Sequence, residues 1–297
     1  MIRALARAFV GLVVVAALGA AAVWGVLTYL RSLDAQPLAK EQCTAENDGV
    51  RHSLSLEQAD NAALLAATSL RRGMPARAAT IAIATAMQES SLRNIDFGDR
   101  DSLGLFQQRP SQGWGSEDEI MDPVYSTHTF YDALDKVDDY ESMEVTVAAQ
   151  AVQRSAFPDA YAQHETMSRA WASALTGHSP GAVSCVVHEL PAGSPEALLE
   201  RIERDLGDVH AQVEGSADDG PVTVAIDAGV LAGAGGEGTE RLAWAVGQWA
   251  VAVAASLGVA EVAVADRLWA TSSAAWSAVG QDVAPLAPGL VRIALRG

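Results

Sequence analysis

Residues 84–94 read ATAMQESSLRN, and residues 102–110 read SLGLFQQRP. The first stretch closes an uncharged run of Ala, Ile, Thr and Met, and Glu89 ends that run ahead of two serines. An ionised carboxylate is costly on an apolar helix face unless something pairs with it. Glu89 is therefore either solvated at a helix end or held in a cleft. The segment MPARAATIAIATAMQESSL, residues 74–92, predicts a helix with Pro75 in its first turn. Its apolar faces are wide, as in a central, buried helix. Residues 94–115, NIDFGDRDSLGLFQQRPSQGWG, are rich in Gly, Asp and Ser and predict a loop or small irregular hairpin.

The flanking segments are helical. SLSLEQADNAALLAATSLRRG, residues 53–73, carries apolar residues at helical spacing, with Ser53 or Ser55 as cap and Gly73 as stop. DEIMDPVYSTHTFYDALDKV, MEVTVAAQAVQRSA and DAYAQHETMSRAWASALTG predict further helices up to Gly177. Beyond a Pro- and Gly-containing connector the pattern changes. SPEALLERIERDLGDVHAQV predicts an amphipathic helix capped by Ser194, and TERLAWAVGQWAVAVAASLG another, stopped by Gly258. PVTVAID, VAEVAVAD and GLVRIAL predict three strands, so this half reads as a small α/β sandwich. AGVLAGAGGEG, residues 228–238, lacks a phosphate-binding spacing and predicts a flexible loop.

The chain has 297 residues, 37 acidic against 20 basic, for a formal charge of −17. Nucleic-acid affinity rests on Lys and Arg, so no nucleic-acid partner is expected. No CxxC motif or His/Cys cluster is present, so neither a metal nor a cofactor is expected. The uncharged run from Ala8 to Leu30 is long enough to cross a bilayer, which needs roughly 20 residues. Arg3 and Arg7 precede it, and acidic residues follow soon after Arg31. This predicts a single-pass membrane anchor with a cytoplasmic N-terminus and extracytoplasmic remainder. The two cysteines, Cys43 and Cys185, then predict a disulfide across nearly half of the chain.

Glu89-Ser90 followed by Gly104-Leu105-Phe106-Gln107 resembles the lysozyme-like fold of lytic transglycosylases and goose-type lysozymes. In that family a helix ends in Glu-Ser, and a Gly-Leu-(Met/Phe)-Gln motif follows on a small β region. The resemblance covers residues 54–177. It implies that Glu89 protonates a glycosidic oxygen of peptidoglycan and then takes a proton from the sugar's own C6 hydroxyl, closing an anhydro ring without water. A general acid must carry its proton at neutral pH, which apolar surroundings favour. Met87, Leu92, Leu105 and Phe106 are the expected walls. A hydrolase would add a second carboxylate, for which Asp96, Asp99 and Asp101 are available. Ser90, Gln107, Gln108, Trp114 and Gln150 are the expected substrate-side residues, Ser90 by holding the helix end. The family's Ala-Tyr-Asn motif is replaced here by Ala148-Ala149-Gln150, with Gln153 one turn on, and no Tyr aligns simply, although Tyr125 and Tyr161 are nearby in sequence.

The pieces TERLAWAVGQWAVAVAASLGVAEVAVADRLWA and SAAWSAV resemble accessory α/β domains of wall-associated proteins from Gram-positive bacteria. The final strand GLVRIALRG lacks the His such domains often carry. Trp269 and Trp276 are read as core. The expected fold class is α+β: a transmembrane helix within residues 1–33, a linker over 34–53, an α-rich lysozyme-like domain over 54–185, and a connector with a small α/β domain over 186–297. The expected function is membrane-anchored cleavage of peptidoglycan glycan strands by a single acid/base Glu. The alternative is a non-catalytic cell-wall-binding or envelope scaffold protein on the same fold.

Overall fold

In the computed structural model, residues 11, 16–29, 39–155, 157, 159–215, 221–235, 238–280 and 283–297 are described. Residues 1–40 and 41–297 are separate units. In the first, residues 16–29 are helical (α1). Among the described residues, no helix is long and apolar enough to cross a membrane. This corrects the expected membrane anchor at residues 8–30 and the single-pass localisation built on it. Residues 8–10, 12–15 and 30 of that run lie outside the described residues.

The second unit begins with a hairpin, β1 (Gln42–Asn47) and β2 (Val50–Leu54). Its turn is Asp48-Gly49, both at positive φ (50° and 76°), the two-residue turn whose twist suits paired strands. These strands occupy the described end of the segment read as linker. A third strand, β3 (Val183–Val186), pairs on the other side of β1 with Cys43 opposite Cys185, and the two are joined as a disulfide.

Between these strands lie the helices. α2 (Leu56–Arg71) starts at a capping box in which Ser55 and Gln58 bond each other's backbone amides. α3 (Ala76–Ser90) is buried along almost its whole length because its side chains are Ala, Ile and Thr. After an irregular segment come α4 (Glu117–Met121) and α5 (Pro123–Leu134), separated at Asp122-Pro123 because a proline starts a helix better than it continues one. α6 (Val145–Gln153) and α7 (Glu165–Leu175) complete this half.

The other half is a six-stranded antiparallel sheet with helices on it. α8 (Pro195–Leu206) stops at Gly207, and its expected continuation is instead β4 (His210–Glu214). β5 (Thr223–Asp227), β6 (Val259–Val264) and β9 (Leu290–Leu295) are the three expected strands. β7 (Arg267–Ala270) and β8 (Ala275–Ala278) are additional, and the order is β4-β5-β9-β6-β7-β8. Every pairing is antiparallel, so the chain is α+β, with its helices segregated from antiparallel sheets. The Gly-rich segment expected as a loop forms a 3-10 helix over Ala228–Gly235.

α9 (Thr239–Ala252) joins the two halves. Its Gln248 is fully buried, donates to the Ala174 carbonyl at 2.6 Å, and accepts from the Ala182 and Val183 amides at 2.7 and 2.9 Å. The polar residue that interrupts this apolar run therefore ties α9 to the end of α7 and the edge of β3. Trp269 is core, while Trp276 is half-buried, packs edge-on against Trp244 and donates to the Val183 carbonyl.

A second junction is ionic. Asp205 is fully buried and accepts from Arg201 Nε and Arg204 Nε at 2.7 Å each, and from Trp249 Nε1 at 2.9 Å. Arg201 reaches on to Asp60 of α2. Burial works against the Arg201 charge, and Asp205 and Asp60 more than offset it. Removing one member leaves the others desolvated and unpaired, so Asp205→Ala is expected to cost about 3–5 kcal/mol. Urea unfolding measures this, and a change below about 1 kcal/mol would reject the network as a structural joint.

Candidate active site

Glu89 is the penultimate residue of α3 and is partly buried. The helix ends there because Ser91 and Leu92 both take positive φ, 54° and 58°, which is costly for residues with a Cβ. Two side chains of α2 hold that bend: Gln58 donates to the Ser91 carbonyl at 2.8 Å and Asn61 to the Leu92 carbonyl at 3.0 Å. The end of α3 is thus fixed by its neighbour.

Tyr161 supplies the main partner of Glu89. It is fully buried, and its hydroxyl donates to Glu89 Oε1 at 2.6 Å. Burial, and then the adjoining Glu89 carboxylate, push the Tyr161 phenol above its ordinary range, so it stays a protonated donor. Tyr161 comes from the turn ahead of α7, and a second contact secures that turn. Gln88 Oε1 meets Gln163 Nε2 and His164 Nε2, each at 3.0 Å. Burial lowers the His164 pKa, favouring the neutral ring.

Ser90 joins Glu89's helix to the motif downstream. Its hydroxyl donates to the Leu105 carbonyl at 2.7 Å and accepts from the Arg93 amide at 3.2 Å. Leu105 sits in a short turn closed by an antiparallel bridge between Leu103 and Gln108. Gly104 is required in it: φ is +76°, and a Cβ there would lie 2.8 Å from the Ile120 carbonyl oxygen. Gln153 donates to the Phe106 carbonyl at 2.7 Å, so α6 braces the same turn. Phe106 stacks on Phe130 with ring centroids 4.3 Å apart.

The other expected residues divide. Gln108 is buried, and its amide donates to the Ser126 carbonyl and the Thr129 hydroxyl. Gln107 is half-buried and its amide reaches the Phe97 carbonyl at 3.3 Å. Gln150 donates to the Ser155 carbonyl at 2.8 Å. Trp114 is half-buried and lines a groove apart from Glu89. Leu92, Leu105 and Phe106, expected as cleft walls, are fully buried core behind the site, and Met87 is half-buried.

Of the loop carboxylates, Asp101 accepts from the Ser111 amide and Arg109 Nε at 2.8 Å each. Ser111 and then Arg109 hold it well below the usual carboxylate range. Asp99 lies in solvent beside Arg100. Among the described residues, no group of three or more acidic, His or Cys side chains is placed to hold a metal ion.

Tyr161 is the residue that sequence reasoning left unassigned. No local pattern marks it, because its meeting with Glu89 is made by the packing of α7 on α3. What the arrangement offers chemically is one carboxyl group, oriented by a phenol, at the rim of a braced turn. No family model matches the chain, and no curated protein matches it in sequence, so the reading of this site rests on its residues and geometry.

Proposed function

We propose that the chain cleaves peptidoglycan glycan strands as a lytic transglycosylase on a lysozyme-like fold, with Glu89 as the single acid and base. The observation that carries this reading is the Tyr161–Glu89 hydrogen bond beside the turn that Ser90 fastens to α3. It gives Glu89 the fixed, half-buried placement that a proton-transfer group needs. It also supplies from another element the phenol that the family places on a later helix. The engagement of Asp101 and the exposure of Asp99 favour one carboxylate over two.

The non-catalytic reading, a wall-binding protein on the same fold, draws support from one feature. The largest grooves described do not include Glu89. Incubation of the full chain, oxidised, with dye-labelled peptidoglycan separates the two. Release of soluble label supports the enzyme, and retention on the glycan without release supports the binder.

Tyr161 acts as a positioning residue. A hydrogen bond that fixes a carboxyl group is worth about 0.5–1.5 kcal/mol, so Tyr161→Phe is expected to lower kcat by about 2–12-fold with KM nearly unchanged. An equal loss in KM alone would assign Tyr161 to substrate binding instead.

A further inference from the structure

Gln88 and Glu89 are neighbours at the end of α3, and both are met by one short segment. At 3.6 residues per turn, adjacent helix side chains point roughly 100° apart. A single segment meets both only by wrapping round the helix end. That segment is the 3-10 turn Ala162–His164 with Tyr161 ahead of it. Tyr161 reaches Glu89, while Gln163 and His164 reach Gln88. The His164 amide donates to the Tyr161 carbonyl at 3.0 Å, so both contacts belong to one piece of backbone. Two contacts at different angles round the helix resist both sliding and rotation of that piece.

The direction of each bond follows from one carbonyl. The Ala160 carbonyl can only accept, so Gln163 presents its NH2 group to it, at 3.1 Å. The same NH2 group lies 3.0 Å from Gln88, which therefore answers with Oε1. Oε1 also only accepts, so His164 carries its proton on Nε2, 3.0 Å away. Burial favours the neutral ring, which has one ring proton to place. The Gln163 contact is exposed and the His164 contact is partly buried, so His164 supplies the stronger hold.

We propose that His164 is a positioning residue for Glu89: as its Nε2–H tautomer it fastens the Ala162–His164 turn to Gln88 and thereby holds the Tyr161 phenol on the Glu89 carboxyl group. The inference rests on the function proposed above, in which Glu89 moves the proton. His164 acts on Glu89 through Tyr161, so its loss has no effect once the phenol is gone.

The test uses the full chain in five forms: native, His164→Phe, His164→Gln, Tyr161→Phe, and His164→Phe combined with Tyr161→Phe. Phenylalanine keeps a ring and loses the donor, and glutamine keeps an N–H donor. In His164→Phe, kcat for glycan release is expected to fall by about 2–12-fold with KM nearly unchanged. The double variant should be no slower than Tyr161→Phe alone. His164→Gln should retain at least about half of the native rate. Losses that multiply in the double variant, or a His164→Gln protein as slow as His164→Phe, overturn the proposal. Nitrogen-15 NMR of the histidine rings at pH 7, with proton NMR of the Tyr161 hydroxyl, gives a readout that needs no turnover. The His164 proton is expected on Nε2, and the Tyr161 hydroxyl signal should be resolved in the native chain and lost in His164→Phe. A proton on Nδ1, or a hydroxyl signal unchanged in His164→Phe, also overturns the proposal. If both signals behave as expected and the native chain releases no glycan, the enzyme reading fails and the positioning of Tyr161 by His164 stands. If glycan is released and His164→Phe matches the native kcat, the enzyme stands and the role of His164 fails.

Discussion

Replacing Glu89 with glutamine is expected to lower the release of soluble glycan by about 10²–10⁴-fold, the contribution of a positioned general acid and base. The substitution keeps the shape of the side chain and leaves an amide oxygen to accept from Tyr161, which donates at 2.6 Å in the native protein. Ser90, Leu105 and Gln153 keep their own bonds. Folding should therefore be preserved, and the loss should fall on kcat. With Asp101 held by Ser111 and Arg109 and Asp99 in solvent, residual activity should be the same from pH 5 to 8. A variant that retains more than about a tenth of the native rate would take Glu89 out of the chemistry. The assay needs native and variant protein at matched thermal stability.

Removing the Cys43–Cys185 bridge is expected to have the largest effect on stability. Both cysteines are buried, and their sequence separation is 142. A cross-link closing so long a loop limits the unfolded chain, for about 5 kcal/mol in the chain-entropy account. The closed loop contains α2 to α7, and with them Glu89, Tyr161 and the braced turn. Reduction, or Cys43→Ser with Cys185→Ser, should lower the thermal midpoint by about 10–20 °C for a unit of this size. Activity should fall at the same lower temperature, because the site lies wholly within the loop. A midpoint unchanged within about 2 °C would mean that the strand pairing of β1 with β3 alone holds the ends together.

Parts of this architecture were legible because their signals are local. Glu89-Ser90 and Gly104-Leu105-Phe106-Gln107 are short motifs 15 positions apart that Ser90 joins at the Leu105 carbonyl, and two cysteines leave each other as partners. The strands β5, β6 and β9 carry enough Val and Ile to show. β7 (RLWA) and the edge strand β8 (AWSA) are only four residues each, too short to show an alternation. The Asp48-Gly49 turn was a readable hairpin signal inside a stretch whose polarity suggested a linker. Hydropathy counts the residues from Ala8 to Leu30 as one span, whereas no helix among the described residues is long and apolar enough to cross a membrane. Tyr161 was out of reach for a different reason: it lies 72 positions from Glu89, and only the fold closes that distance. Gln248 looked like an interruption of an apolar helix, and only the packed structure supplies the three backbone groups it satisfies.

In the proposed reaction Glu89 performs both proton transfers with no water entering. Mass spectrometry of the glycan ends released by the full chain tests this most directly. Anhydro-muramyl ends, each one water lighter than a reducing end, are expected from the native protein, and none from the Glu89→Gln protein. Reducing ends that have gained a water, or no released ends from several peptidoglycan preparations, would contradict it.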